Sequence, residues 1–142
     1  MVIGQYSGSV LRDFRVGFPK KFAEVFGDHL LITKGIENCL VIVARPNWKL
    51  LSRGIDTAPF AKKRDREMQA FILENTFEVA LQELNRFTIP SELREYAGIK
   101  KDVIFTGVEQ YVRLWGKEQF KEYQRTIHPS VAEYLEELPG KD

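Results

Sequence analysis

Apolar positions in this chain come in short bursts, some two apart and some three or four apart, and proline or glycine interrupts nearly every burst. That pattern reads as brief strands alternating with short amphipathic helices. Val2 to Tyr6 is expected as an edge strand closed by a Ser7-Gly8-Ser9 turn, and Arg15 to Phe18 as the next strand. Pro19 then opens a helix over Lys20 to Phe26, whose Phe22, Val25 and Phe26 share one face, and Gly27-Asp28 ends it. Leu30 to Thr33 and Cys39 to Val43 make a hairpin about the Lys34 to Asn38 turn. A helix from about Asn47 to Arg53 follows, and Gly54 to Pro59 is the clearest loop. Lys62 to Glu74 repeats Met68, Phe71 and Ile72 at helical spacing behind a basic first turn, and Phe77 to Leu81 reads as a strand. Basic residues there oppose the helix dipole by a few tenths of a kcal/mol each, so a role beyond helix formation competes with that of a plain solvated face.

The second half repeats the first. Phe14-Arg15-Val16-Gly17-Phe18-Pro19 returns as Asn85-Arg86-Phe87-Thr88-Ile89-Pro90, with Arg15 and Arg86, and Pro19 and Pro90, 71 positions apart. One residue of slippage later, Gly35, Glu37 and Lys49 stand 72 before Gly107, Glu109 and Lys121, and Ile36, Leu40, Ile42 and Trp48 face Val108, Val112, Leu114 and Phe120. A common offset held over most of each half is the signature of an internal repeat. The unit is strand, helix, strand, turn, strand, helix. In the second copy it predicts a helix over Ser91 to Ala97 capped by Gly98, a hairpin of Val103 to Thr106 and Tyr111 to Trp115 about Gly107, and a helix from Lys117 to Ile127. A further short helical pattern after Pro129, in Val131, Tyr134 and Leu135, is expected to be loosely held.

Composition narrows the class. The chain of 142 residues is 44% hydrophobic, which suits a folded domain in which two small copies share one core. A net charge of +1 excludes a surface coated in basic residues, so a contact with nucleic acid must come from clustering. Clusters exist around Arg12, Arg15, Lys20 and Lys21 and between Arg45 and Arg66, whereas the end of the chain carries Glu133, Glu136 and Glu137. The single cysteine, Cys39, lies in an apolar run and is expected to be a buried, inert thiol. The first residues lack the basic and apolar regions of a signal peptide, and no apolar run approaches the roughly 20 residues that span a bilayer. A soluble, cytoplasmic protein without a membrane partner is therefore expected.

Catalytic constellations are missing from the pattern. His29 and His128 have no metal-ligand spacing with Cys39, no glycine loop suits phosphate, and no serine is framed as a nucleophile. No metal, cofactor, small-molecule substrate or enzymatic activity is expected.

The strand-proline-helix copies, Leu93-Arg94-Glu95-Tyr96-Ala97-Gly98, Thr33-Lys34-Gly35 with Glu37-Asn38-Cys39-Leu40, and Leu114-Trp115 together resemble the MraZ family over nearly the whole chain. That resemblance implies an α+β fold of two tandem AbrB-like swapped-hairpin modules forming one pseudo-twofold, β-barrel-like core with flanking helices. The modules would occupy residues 1–54 and 77–128, with a joint and linking helix at 55–76 and a C-terminal tail at 129–142. It implies a nucleoid-associated bacterial transcriptional regulator, acting on the division and cell-wall gene cluster through short repeated boxes in double-stranded DNA, as a ring-shaped homo-oligomer. In the family a D-x-x-G-R loop precedes the strand and its arginine meets DNA. The expected DNA-binding residues are accordingly Arg15 and Arg86, with Arg12, Lys20 and Lys21 in support.

Two departures bear on this. Leu11 and Gln82 stand where the family has aspartate, and Phe14 and Asn85 where it has glycine. If the glycine provides positive φ, asparagine replaces it cheaply, whereas phenylalanine would be an outlier. The first loop is therefore expected to change shape, leaving Arg86 the stronger DNA reader. Local pairs, Arg15 with Asp13 and Arg86 with Glu83, are the competing roles for the arginines. A ring-forming interaction protein that no longer reads sequence is the competing function.

Overall fold

The computed structural model describes residues 1–140, so the last two residues of the 129–142 tail lie outside the described residues. Six strands form one antiparallel sheet: β1 (Val2–Ser9), β3 (His29–Lys34), β4 (Leu40–Ala44), β5 (Phe77–Ala80), β7 (Asp102–Glu109) and β8 (Tyr111–Gly116). Their order is β1-β7-β8-β4-β3-β5. Two short strands, β2 (Arg15–Gly17) and β6 (Arg86–Thr88), pair separately as a ribbon. Exchanging β1–β4 with β5–β8 leaves every pairing unchanged, and each outer pair joins the two halves of the sequence. The sheet ends at β1 and β5, so the expected barrel-like closure is replaced by an open sheet with the ribbon folded over it. Twist alone does not close a sheet; closure needs the edge strands to meet, and here four strands stand between them.

Helices α1 (Lys20–Phe26) and α3 (Ser91–Ala97) follow the ribbon strands, each entered through a proline and each too short to persist without packing. Phe22, Phe26, Leu93 and Ala97 are buried. The core between ribbon, helices and sheet centres on Phe18, whose ring packs at 5.8–6.3 Å centroid separation on Phe22, Phe26, Phe87 and Phe105. Aromatic pairs of this kind contribute about 0.5–1.5 kcal/mol each beyond area burial.

The opposite sheet face carries α2 (Lys63–Glu74) and α4 (Lys117–Glu137). Thr33 Oγ1 bonds the carbonyls of Ile72 and Asn75, both at 3.3 Å, which fastens the end of α2 to β3. Trp115 and Phe120 close over Cys39 with Tyr123 beside them. Desolvation pushes the Cys39 thiol up to about 11, keeping it protonated and unreactive.

Four local readings need correction. Ser7-Gly8-Ser9 is not a turn but the end of β1, paired with Ile104, Val103 and Asp102. The β7–β8 hairpin turns at Glu109-Gln110 rather than at Gly107, which lies within β7. A Cβ at Gly107 would meet the Val2 and Ile3 backbone of β1 at 2.6–2.7 Å, so that glycine serves close strand approach. Arg45–Ser52 is 3₁₀ rather than α-helical, with Asn47 leaving helical dihedrals. Finally, α4 runs on through Pro129 to Glu137 instead of stopping at Ile127. Proline there removes only the bond to the Arg125 carbonyl, on a stretch that buries none of its residues.

Candidate nucleic-acid interface

The ribbon assembles the site. Arg15 lies opposite Thr88, Val16 opposite Phe87, and Gly17 opposite Arg86. Side chains alternate across a strand, and Val16 and Phe87 are fully buried, so Arg15, Gly17, Arg86 and Thr88 share the outward face. The two arginines are diagonal neighbours on that face, with Cα atoms about 7–8 Å apart by ordinary sheet geometry. Sequence separation gave no hint of this; the cross-half pairing produces it.

Each ribbon strand is entered through a loop, and the two loops close by the same bond. The Leu11 N–H donates to the Arg15 carbonyl at 2.8 Å, and the Gln82 N–H to the Arg86 carbonyl at 2.8 Å. The ribbon is extended at both ends: the Ile89 N–H donates to the Phe14 carbonyl at 3.1 Å, and the Phe18 N–H to the Asn85 carbonyl at 2.8 Å. Phe14 has φ +66° and Asn85 φ +56°, so both family-glycine positions do adopt left-handed backbone. The expected reshaping of the first loop is thus confined: closure survives, with one left-handed residue there against two, Leu84 and Asn85, in the second loop.

Phe14 is held from across the site by a residue that the sequence reading did not single out. The Arg94 guanidinium lies 3.6 Å from the Phe14 ring centroid, and its Nε donates to the Ile89 carbonyl at 3.3 Å. The repeat offset could have flagged it, because position 94 falls on Ala23 in the first copy and the bulk exchange matches Phe14 for Asn85.

The arginines differ in their partners. Arg15 Nε donates to Asp13 at 2.6 Å, and its backbone N–H reaches the same carboxylate at 3.3 Å. Desolvation raises the Asp13 carboxyl, but the backbone and side-chain hydrogen bonds from Arg15 outweigh it and hold the group below its ordinary value. The Arg86 side chain makes no hydrogen bond or ion pair among the described residues, and the considered side-chain pair with Glu83 does not form. Arg12, Lys20 and Lys21 are exposed. Because Phe18 pairs at the Asn85 end, α1 leaves the ribbon where Arg86 stands, placing Lys20 and Lys21 at that end.

Among the described residues no group of three or more His, Cys, Asp or Glu side chains could hold a metal, and no helix is long and apolar enough to cross a membrane. His29 and His128 are both exposed.

Comparison with known proteins places this arrangement in a lineage. A family model described as "MraZ protein, putative antitoxin-like" matches residues 72–138. A protein of Caldanaerobacter subterraneus subsp. tengcongensis is 38% identical over 138 residues, covering 97% of this chain and 96% of its own. One of Thermoanaerobacter pseudethanolicus is 38% identical over 141 residues, covering 97% and 99%, and one of Natranaerobius thermophilus is 33% identical over 142 residues, covering 100% and 99%. Each of the three bears the name "Transcriptional regulator MraZ". A solution structure of PHS018 from Pyrococcus horikoshii aligns over 80% of this chain and 88% of that one at TM-score 0.35 and 16% identity, a likeness too slight to bear on the fold. With identity of 33–38% sustained across essentially the full length of these relatives, the chain belongs to the MraZ family.

Proposed function

We propose that this protein regulates transcription by presenting the β2–β6 ribbon to double-stranded DNA. One observation carries the reading: Arg15 and Arg86, far apart in sequence, stand side by side on the ribbon's outward face. Two-stranded ribbons fit the major groove, where the arginine fork matches guanine O6 and N7. Arg86, free of a protein partner among the described residues, is the base reader; Arg15, already oriented by Asp13, clamps phosphate, and Arg12, Lys20 and Lys21 add phosphate contacts. The names of the relatives support regulation of transcription, and no catalytic role is assigned.

The finer reading follows the family resemblance. Residues 1–54 and 77–128 are AbrB-like swapped-hairpin modules joined through 55–76, a view supported by the exchange symmetry of the strand pairings. Short repeated boxes upstream of the division and cell-wall genes are the target, and a ring-shaped homo-oligomer in the cytoplasm, at the nucleoid, is the binding form. A ring suits a chain of net charge +1, because several weak loops acting on repeated boxes raise avidity by about a hundredfold or more.

Fluorescence anisotropy against the duplex upstream of the protein's own gene and a scrambled duplex, across a salt series, tests this. Tighter binding to the native duplex with log affinity falling linearly in log salt is expected. Equal or absent binding to both would favour the second reading, an interaction ring, to which the Arg15–Asp13 pair lends support by occupying one arginine.

A further inference from the structure

The sheet face remote from the ribbon has a concavity of about 760 Å³ between α2, the 3₁₀ segment and the β3–β4 turn. Its lining is largely apolar, with Val41, Val43, Leu51, Met68 and Phe71 among the side chains. At its margins Ile36 is 92% exposed and Phe71 52%. Lys34, Arg53 and Arg113 stand on the rim against Glu37 and Glu67, and Glu37 lies 3.9 Å from Arg113. Just beyond, α2 begins with exposed Lys63 and Arg64, the basic first turn that its own helix dipole disfavours.

The same chain carries the complement. Every residue from Val131 to Gly140 is exposed. Val131, Tyr134 and Leu135 fall at i, i+3 and i+4, which puts three exposed apolar side chains on one stripe, and exposed Leu138 follows directly after the last helical residue. Glu133, Glu136 and Glu137 flank the stripe. Such spacing is how an amphipathic helix reads into an apolar groove. The stripe does not fill the groove of its own chain: no α4 residue lines that groove, and α4 is one continuous helix anchored at its start on Trp115 through Phe120 and Tyr123.

We infer that the acidic, apolar-striped end of α4 of one copy docks in the groove between α2 and the β3–β4 turn of a second copy. The contact joins two different surfaces, so it propagates head to tail and closes into a ring when the rotation permits. It rests on the homo-oligomer part of the proposed function and is independent of DNA reading. The basic start of α2 then meets Glu133, Glu136 and Glu137 of the neighbour.

Size-exclusion chromatography with light scattering on the full chain, Leu135→Glu, Phe71→Glu and an equimolar mixture of the two variants tests it. Both substituted side chains are about half exposed, and circular dichroism checks that each variant is folded. The expected result is a multimer for the unaltered chain, monomers for each variant, and a one-to-one heterodimer for the mixture, which retains a single intact stripe-and-groove pair. Variants that keep the multimer's mass would overturn this contact and leave the oligomer standing. An unaltered chain that runs as a monomer at all concentrations would overturn the oligomer and the contact together.

Discussion

The loops that deliver Arg15 and Arg86 share a closing bond and differ in nearly everything else. In the first, Phe14 occupies a left-handed position that costs a side-chain-bearing residue about 1–2 kcal/mol. A guanidinium stack of about 0.5–1 kcal/mol and a backbone bond to Ile89 offset it. In the second, Leu84 and Asn85 are both left-handed, Leu84 is 74% exposed, and Ala23 occupies the position equivalent to Arg94. The first loop is braced and its arginine tied to Asp13; the second is lightly held and its arginine is free. Two loops can thus close by the same bond while the protein orients one arginine and leaves the other free.

The largest test of that contrast is in DNA binding. Arg86→Ala is expected to weaken binding to the native duplex by roughly five- to a hundredfold, the worth of one bidentate arginine contact, and to leave binding to a scrambled duplex little changed. Arg15→Ala should cost about threefold on both duplexes and lower the salt slope by roughly one, as a phosphate contact does. Equal, sequence-dependent losses would erase the distinction. Next in size, Asn85→Phe should destabilise the fold by about 1–2 kcal/mol in denaturant titrations, because Ala23 and not an arginine stands at the position equivalent to Arg94. If it is neutral, the brace on Phe14 is unnecessary.

Smaller effects sharpen the mechanism of the brace. Arg94→Ala should cost about 0.5–1 kcal/mol in the native chain and much less in a Phe14→Gly background, a coupling that a double-mutant cycle reads directly. Additive losses would mean that the stack is incidental. At the small end is Asp13. Its carboxyl is held below the ordinary value, so its contribution is present at neutral pH and is lost as pH falls through the folded value, beneath the usual carboxylate range. Arg15→Ala removes the side-chain bond and the guanidinium charge while keeping the bond from the residue-15 backbone N–H, so the Asp13 titration followed by NMR should move part of the way upward; no movement would separate Asp13 from the Arg15 side chain.

Much of this site was legible along the chain because its signals are local. Proline after an arginine and three strand residues marks both ribbon strands, and the closing of α3 at Gly98, with φ +62°, follows from the glycine itself. Glycine also misled. Gly107 has the composition of a turn, yet its role is set by β1 lying against it, and β1 is about a hundred residues away in sequence. Pro129 likewise marks a helix end on local grounds, but an exposed stretch tolerates the lost bond and α4 continues.

The sequence by itself determined the order of strands and helices, the burial of Cys39 and the two arginines at strand entries, because each depends on residues within a few positions of one another. Only the tertiary structure decided that the halves pair strand by strand, that Arg15 and Arg86 become neighbours, that Arg94 braces Phe14, and that the sheet stays open. Those outcomes depend on register between segments roughly 70 residues apart. Register follows from which buried faces fit together in three dimensions rather than from any local pattern.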